Sequence, residues 1–387
     1  MPTTPTTPPT SPTTTAQHRP LKAPFPYFGG KSRVARIIWA ALGDDVRHYI
    51  EPFAGSAATL LACPDELRVQ LRSVVLNDID CHVANAWRAM RDHADQLADL
   101  CDEPLIEAEL EARHKHLCSP SWRSRFERRV RDEAAFCDPV AAAYWITGMS
   151  CWIGEGFAAG DWHGHADPRT RGTGLAAPKL PHMTSGNGTQ RLALRAPRAM
   201  HAYFRALQQQ LRGTRVLSGD WRRAVGRYTT HLRGPVGVLL DPPYAASAER
   251  CESIYRHDDL HVSHHVRDWA IKAGRDRTRR IVLCGYDGEH PPEVFDRRGW
   301  TTIAWSAQGG YANQRRNPSP TSPARPAPAP PGCNARNAGN PSNGQLNRHR
   351  ERLWLSPGCT TGPALEAALR AASATIIAHT RTKRSPR

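Results

Sequence analysis

Short apolar runs, set between stretches with helical spacing, recur along this 387-residue chain. Tyr49-Ile50, Val74-Val75-Leu76, Arg215-Val216-Leu217, Val236-Gly237-Val238-Leu239-Leu240, Arg280 to Tyr286, Thr301 to Ser306 and Glu351 to Ser356 read as strands. The run at 236–240 has no polar alternation, the pattern of a strand buried on both faces. Val83 to Met90 and Val140 to Ile146 predict helices, and an Ala-rich segment after Pro363 predicts another. The last two strand runs are expected to pair as an antiparallel hairpin. The fold class expected from this pattern is α/β, an open sheet with a mainly helical insertion between roughly 91 and 200.

The tetrad Asp241-Pro242-Pro243-Tyr244 follows the most apolar of these runs and so stands where a buried strand ends. Open α/β sheets build their ligand crevices there. Two prolines in succession remove two amide donors and hold the backbone extended, which leaves their carbonyls free and projects the flanking Asp and Tyr outward. A carboxylate, a carbonyl and an aromatic face then converge. That set suits an exocyclic amino group on a flat base, whose two N–H bonds need acceptors and whose ring needs a stacking partner. A Pro-Pro turn with an Asp cap is the plainer alternative.

Tyr49 to Leu61 reads as a strand, a tight turn of small residues around Glu51-Pro52-Phe53-Ala54-Gly55, and the start of a helix. Such a turn admits a ligand close to the backbone. About twenty residues further on, the next strand ends in Asn77-Asp78-Ile79-Asp80, and an acid there is placed to accept from ribose hydroxyls. Upstream, Pro24 to Arg33 contains Tyr27, Gly29, Gly30, Lys31 and Ser32. A phosphate-binding P-loop would need glycine where the chain has Phe25, so NTPase chemistry is not expected.

In this order the three segments resemble the Dam-like, D12 class of DNA adenine-N6 methyltransferases, over roughly residues 21 to 90 and 215 to 360. The resemblance implies a Rossmann-like, S-adenosylmethionine-dependent methyltransferase sheet, and a target-recognition region lying between the cofactor and catalytic motifs. Tyr27, Gly29, Gly30 and Lys31 would belong to the first cofactor motif, at the methionine end. Glu51, Pro52, Phe53 and Gly55 would form the cofactor turn, where the family usually has a second glycine in place of Ala57. Asp78 would bind the ribose, and Asp220-Trp221 would bracket the cofactor's adenine. Asp241, Pro242, Pro243 and Tyr244 match the catalytic tetrad. The activity implied is methylation of the N6 amino group of an adenine flipped out of double-stranded DNA. Cytosine-N4, an RNA adenine and a protein glutamine are substrates that a similar tetrad serves, and a catalytically silent DNA-binding relative is a further class. The tetrad's chemistry calls for no metal.

Composition agrees with a polyanionic partner. Lys and Arg number 52 against 36 Asp and Glu, a formal charge of +16, which favours nucleic acid through counterion release. Arg123, Arg125, Arg128 and Arg129 in the helical insertion, and Tyr255 after the tetrad, are the candidate DNA contacts. Ten scattered cysteines without a C-x-x-C pair suggest free thiols in a reducing, cytoplasmic compartment. No apolar run is long enough for a membrane span or a signal peptide. The expected organisation is a disordered Thr/Pro-rich tail at 1–20, the cofactor part of the core at 21–90 and target recognition at 91–204. The catalytic part then spans 205–316, with a disordered Pro/Asn-rich insertion at 317–347, a final core strand at 348–360 and a basic tail at 361–387. A monomer is expected, and a cognate restriction nuclease is a candidate partner beside DNA.

Overall fold

The strand runs assemble into a seven-stranded sheet in the computed structural model, which describes residues 21–27, 29–103, 105–151, 157–158, 199–244, 261–306 and 349–382. The strands are β1 (His48–Glu51), β2 (Ser73–Asp78), β3 (Thr214–Ser218), β4 (Val236–Leu240), β5 (Arg279–Tyr286), β6 (Thr301–Ala304) and β7 (Glu351–Leu355). Their order is β3-β2-β1-β4-β5-β7-β6. The first five are parallel, and β7 lies antiparallel between β5 and β6. This is the Rossmann-like methyltransferase arrangement, with the closing hairpin expected from the sequence.

The helices are α1 (Ala35–Leu42), α2 (Ala58–Leu61), α3 (Asp65–Arg68), α4 (Cys81–Asp92), α5 (Ala94–Asp102), α6 (Glu107–Cys118), α7 (Pro120–Asp132) and α8 (Pro139–Cys151). They continue with α9 (Ala199–Leu211), α10 (Arg227–Thr230), α11 (Val262–Ala273), α12 (Pro292–Asp296) and α13 (Pro363–Thr382). Successive strand residues serve opposite layers, as the two-residue period of a strand requires. Tyr49, Leu76, Leu239 and Val282 pack with α1, α4, α5, α8 and α9, whereas Ile50, Val75, Val238 and Ile281 pack with α11 and α12. Helices on both faces explain the continuous apolar run of β4, all five of whose residues are buried. Gly237 within it is a packing device. A Cβ there would come 3.1 Å from both Leu42 and Val46, so glycine lets the α1 end of the molecule close on the strand.

Within residues 91–204, the described helices share one core with the sheet. α8 is apolar around its circumference because α4, α5 and α6 surround it. α9 packs on α4 and α5 before the chain enters β3. Arg88 on α4, 2% exposed, ties these layers together by donating to the carbonyls of Val216 in β3, of Val130 in α7 and of Phe136 beyond it. The expected tail at 1–20, Tyr255, the 317–347 insertion and residues 383–387 of the expected basic tail lie outside the described residues.

Candidate active site

The strand order reverses between β1 and β4, and a crevice opens beyond the carboxyl ends of those two strands, where Glu51 and Asp241 stand. The cavity there has about 1060 Å³ of open space, its solvent mouth included. Its floor is the turn after β1. Gly55 has φ +45°, and a Cβ on it would lie 2.6 Å from the Tyr27 ring, so only glycine allows the ring to rest on the turn. The Trp87 indole, fully buried in α4, donates to the Gly55 carbonyl at 2.8 Å. Ala57 also adopts the left-handed conformation (φ 44°, ψ 31°), which accounts for glycine being usual at this position.

The ends of β1, β2 and β3 are bound to one another at the cavity wall. Asn77 donates to the carbonyls of Pro52 (2.9 Å) and Gly219 (3.0 Å). Asp78 accepts from the Gly55 amide at 2.8 Å and the Asp80 amide at 2.9 Å. Burial, reinforced by the neighbouring Asp80 charge and opposed by these amides, pushes the Asp78 carboxyl up to about 7. Further along, the rings of Phe53 and Trp221 lie 6.2 Å apart and 30° from parallel. Asp220 caps the short 3₁₀ turn that carries Trp221, accepting from the Arg222 amide, and the Arg222 guanidinium covers the indole at 4.9 Å.

At the other end the cavity meets a buried charge cluster. The Lys31 ammonium, 4% exposed, lies 2.8 Å from Asp241 Oδ1 and donates to the Gly29 carbonyl at 2.9 Å. Burial works against this cation, and the charges of Asp241 and Glu351 more than compensate, so its pKa rises. Burial raises the Asp241 carboxyl as well, with Lys31 limiting the rise. Glu51 accepts from the Tyr49 hydroxyl at 3.1 Å and is pushed up to about 8, chiefly by burial. Tyr244 donates to Glu351 Oε2 at 2.9 Å and sets its ring edge against Tyr286, centroids 4.4 Å apart. Three carboxyls therefore stand around one ammonium, an environment that favours an added cation.

The structure brings the sequence-derived residues Tyr27, Gly29, Gly30, Lys31, Glu51, Pro52, Phe53, Gly55, Asp78, Asp220 and Trp221 into the wall of this one cavity, with Asp241 and Pro243. Pro242 is buried behind the wall, and the Tyr244 side chain is turned to Glu351 rather than into the cavity. Arg123, Arg125, Arg128 and Arg129 lie on α7, away from it. Two of them are already engaged: Arg123 with Glu127 at 3.3 Å and Arg129 with Glu133 at 2.9 Å. Sequence reasoning missed Asn77 as a strut, His265 from α11 in the wall, and Glu351. A polar Asn within a buried strand was a readable sign; nothing local marked the other two.

The residues fit S-adenosylmethionine on one observation: a surplus of carboxyls in the cavity wall where a sulfonium and an ammonium would lie. Among known families, residues 27–121 match the D12 class N6 adenine-specific DNA methyltransferases. That span holds Lys31, the Gly55 turn and Asp78, and it ends before the tetrad at Asp241. No curated protein matches the chain. The likeness to the D12 class N6 adenine-specific DNA methyltransferases thus spans residues 27–121, less than half of the chain.

Proposed function

We propose that the protein methylates the N6 amino group of an adenine flipped out of double-stranded DNA, using S-adenosylmethionine. The observation that carries this reading is the position of Asp241. Its carboxylate is held by Lys31 at the switch point of the sheet, in the same cavity wall as the cofactor motifs. S-adenosylmethionine supplies an electrophilic sulfonium methyl. Asp78 accepts from the ribose hydroxyls, the Phe53 and Trp221 rings enclose the cofactor's adenine, and Glu51 faces its cationic end. Lys31 orients Asp241.

An adenine amino nitrogen is a poor nucleophile because its lone pair is delocalised into the ring. Asp241 and the Pro242 carbonyl accept its two N–H bonds, which favours a pyramidal nitrogen with its lone pair directed at the methyl. Positive charge develops on that nitrogen as the bond forms, and a carboxylate fixed beside it stabilises the transition state more than the ground state. The Asp241 carboxylate takes the proton that the amino group loses. The target atom is inaccessible within a duplex, so the base must leave the stack, with Tyr244 as its stacking partner. Exposed Arg125 and Arg128 on α7 would contact phosphates.

Incubation with methyl-labelled S-adenosylmethionine and unmethylated duplex DNA, followed by nucleoside analysis, tests the reading. N6-methyladenine is the expected product. N4-methylcytosine, or label only in RNA or protein, would replace the substrate assignment.

A further inference from the structure

Glu351 is the first residue of β7, is 7% exposed, and has no part in the chemistry just described. Its carboxylate accepts from the Tyr244 hydroxyl at 2.9 Å. The antiparallel pairing of β7 with β5 sets Glu351 opposite Tyr286, whose ring abuts the edge of Tyr244. The Lys31 ammonium lies 5.5 Å from the centroid of the same ring. Tyr244 is thus held at its hydroxyl, its edge and its face.

The same Lys31 ammonium is 2.8 Å from Asp241 Oδ1, so the Tyr244 ring and the Asp241 carboxyl share one cation, and a hydrogen bond from the hydroxyl acts to limit the rise of the Asp241 carboxyl. A phenol has a single proton to donate. When Glu351 takes it, both Asp241 oxygens remain open to Lys31 and to an incoming amino group. When Glu351 is missing, the hydroxyl turns to Asp241 and competes with the substrate's N–H for the same lone pairs. A buried carboxylate is costly to keep where an apolar side chain would pack as well, so a purely structural role does not call for one.

We propose that Glu351 is a positioning residue that holds the Tyr244 hydroxyl away from Asp241, leaving the Asp241 carboxylate free to accept from the target amino group. The inference rests on the methyltransferase reading above. It concerns one proton and one ring orientation, and it makes the cost of losing Glu351 depend on the Tyr244 hydroxyl.

A double-mutant cycle on the full chain tests it, with Glu351→Leu and Tyr244→Phe made singly and together and single-turnover methyl transfer as the readout. Glu351→Leu is expected to lower the transfer rate by roughly tenfold or more, the effect of disturbing one preorganised acceptor, with cofactor affinity within about threefold. In the Tyr244→Phe background there is no hydroxyl to misdirect, so the same substitution should cost less than about threefold further. Glu351→Gln keeps the shape and an acceptor; it provides a folded variant if the leucine variant does not fold, and should stay within about fivefold of wild type. Equal losses from Glu351→Leu in both backgrounds, or a Glu351→Gln loss of tenfold or more, would overturn the positioning role while leaving the methyltransferase reading intact. A wild-type protein that transfers no methyl to DNA would overturn that reading and this proposal together.

Discussion

The Lys31 ammonium and the Asp241 carboxylate, more than two hundred residues apart in sequence, form a 2.8 Å ion pair at the junction of the two central strands. Each lies near other buried acids, so the pair does more than join two loops. Lys31 offsets the repulsion among Asp241, Glu351 and Glu51 and limits the rise that burial imposes on the Asp241 carboxyl.

Lys31→Met should therefore destabilise the fold by about 3–5 kcal/mol, the usual consequence of leaving a buried carboxylate unpaired. It should also move the acidic limb of the rate–pH profile upward, because losing a neighbouring cation raises the Asp241 pKa and more base is needed to ionise it. Thermal unfolding and a pH–rate series read both effects. An unchanged limb would mean that Lys31 does not govern the ionisation of Asp241.

Glu51 and Asp78 bear on stability between pH 6.5 and 8. Burial holds their folded-state values at about 8 and about 7, above those of an unfolded chain, so the folded protein retains protons that the unfolded one releases. Stability then falls as pH rises towards those values. Buried His290 is pushed down to about 3, and its opposite contribution, nearly complete by its ordinary value near 6.5, offsets only a small part of this loss. The free protein is therefore expected to lose on the order of 2 kcal/mol between pH 6.5 and 8. A bound cation favours the ionised carboxyls, so the melting shift from S-adenosylmethionine should grow over the same interval. Scanning calorimetry with and without cofactor checks both signs; a shift that shrinks with pH would contradict the cluster's role.

The turn after β1 makes a paired prediction. Gly55→Ala places a methyl against the Tyr27 ring and imposes φ +45° on an L-residue, costing about 1–2 kcal/mol from the backbone alone. Cofactor affinity should fall at least about tenfold. Ala57→Gly at the neighbouring left-handed residue should stay within about 1 kcal/mol of neutral, since relief of strain is offset by a freer unfolded chain and the removal of a buried methyl. Calorimetric titration of the two variants separates these outcomes.

On α7, Arg125 and Arg128 are exposed and make no ion pair with a described residue, whereas Arg123 and Arg129 are occupied by glutamates one turn away. Neutralising Arg125 and Arg128 should lower the slope of log affinity against log salt by roughly one for each DNA phosphate that is then left unneutralised. Neutralising Arg123 and Arg129 should change it less. Fluorescence anisotropy on a short duplex measures the slopes, and identical slopes in all variants would make this helix an ordinary solvated face.

Much of the site was legible because it rests on contiguous segments. Glu51 to Gly55, Asp78 and Asp241 each follow an apolar strand run, and parallel order alone brings those strand ends to one crevice. Glu351 was not legible. Its place beside Tyr244 exists because β7, beyond its expected hairpin with β6, also pairs antiparallel with β5, which no local pattern in Glu351 to Leu355 encodes. The direction of the Tyr244 side chain was missed for the same reason, since it answers to Glu351 and Tyr286 from other strands. In α7 the charge was readable but the ion pairs of Arg123, Arg129 and Arg131 were not, because they depend on a helical register fixed by the burial of Phe126 and Val130.

The central claim is that Asp241 serves the target amino group and not the cofactor. The most direct test measures methyl transfer and S-adenosylmethionine affinity together in Asp241→Ala. Loss of one preorganised acceptor predicts a rate lower by roughly a hundredfold or more, with cofactor affinity within several-fold of wild type. Near-normal turnover, or a loss confined to cofactor binding, would contradict it.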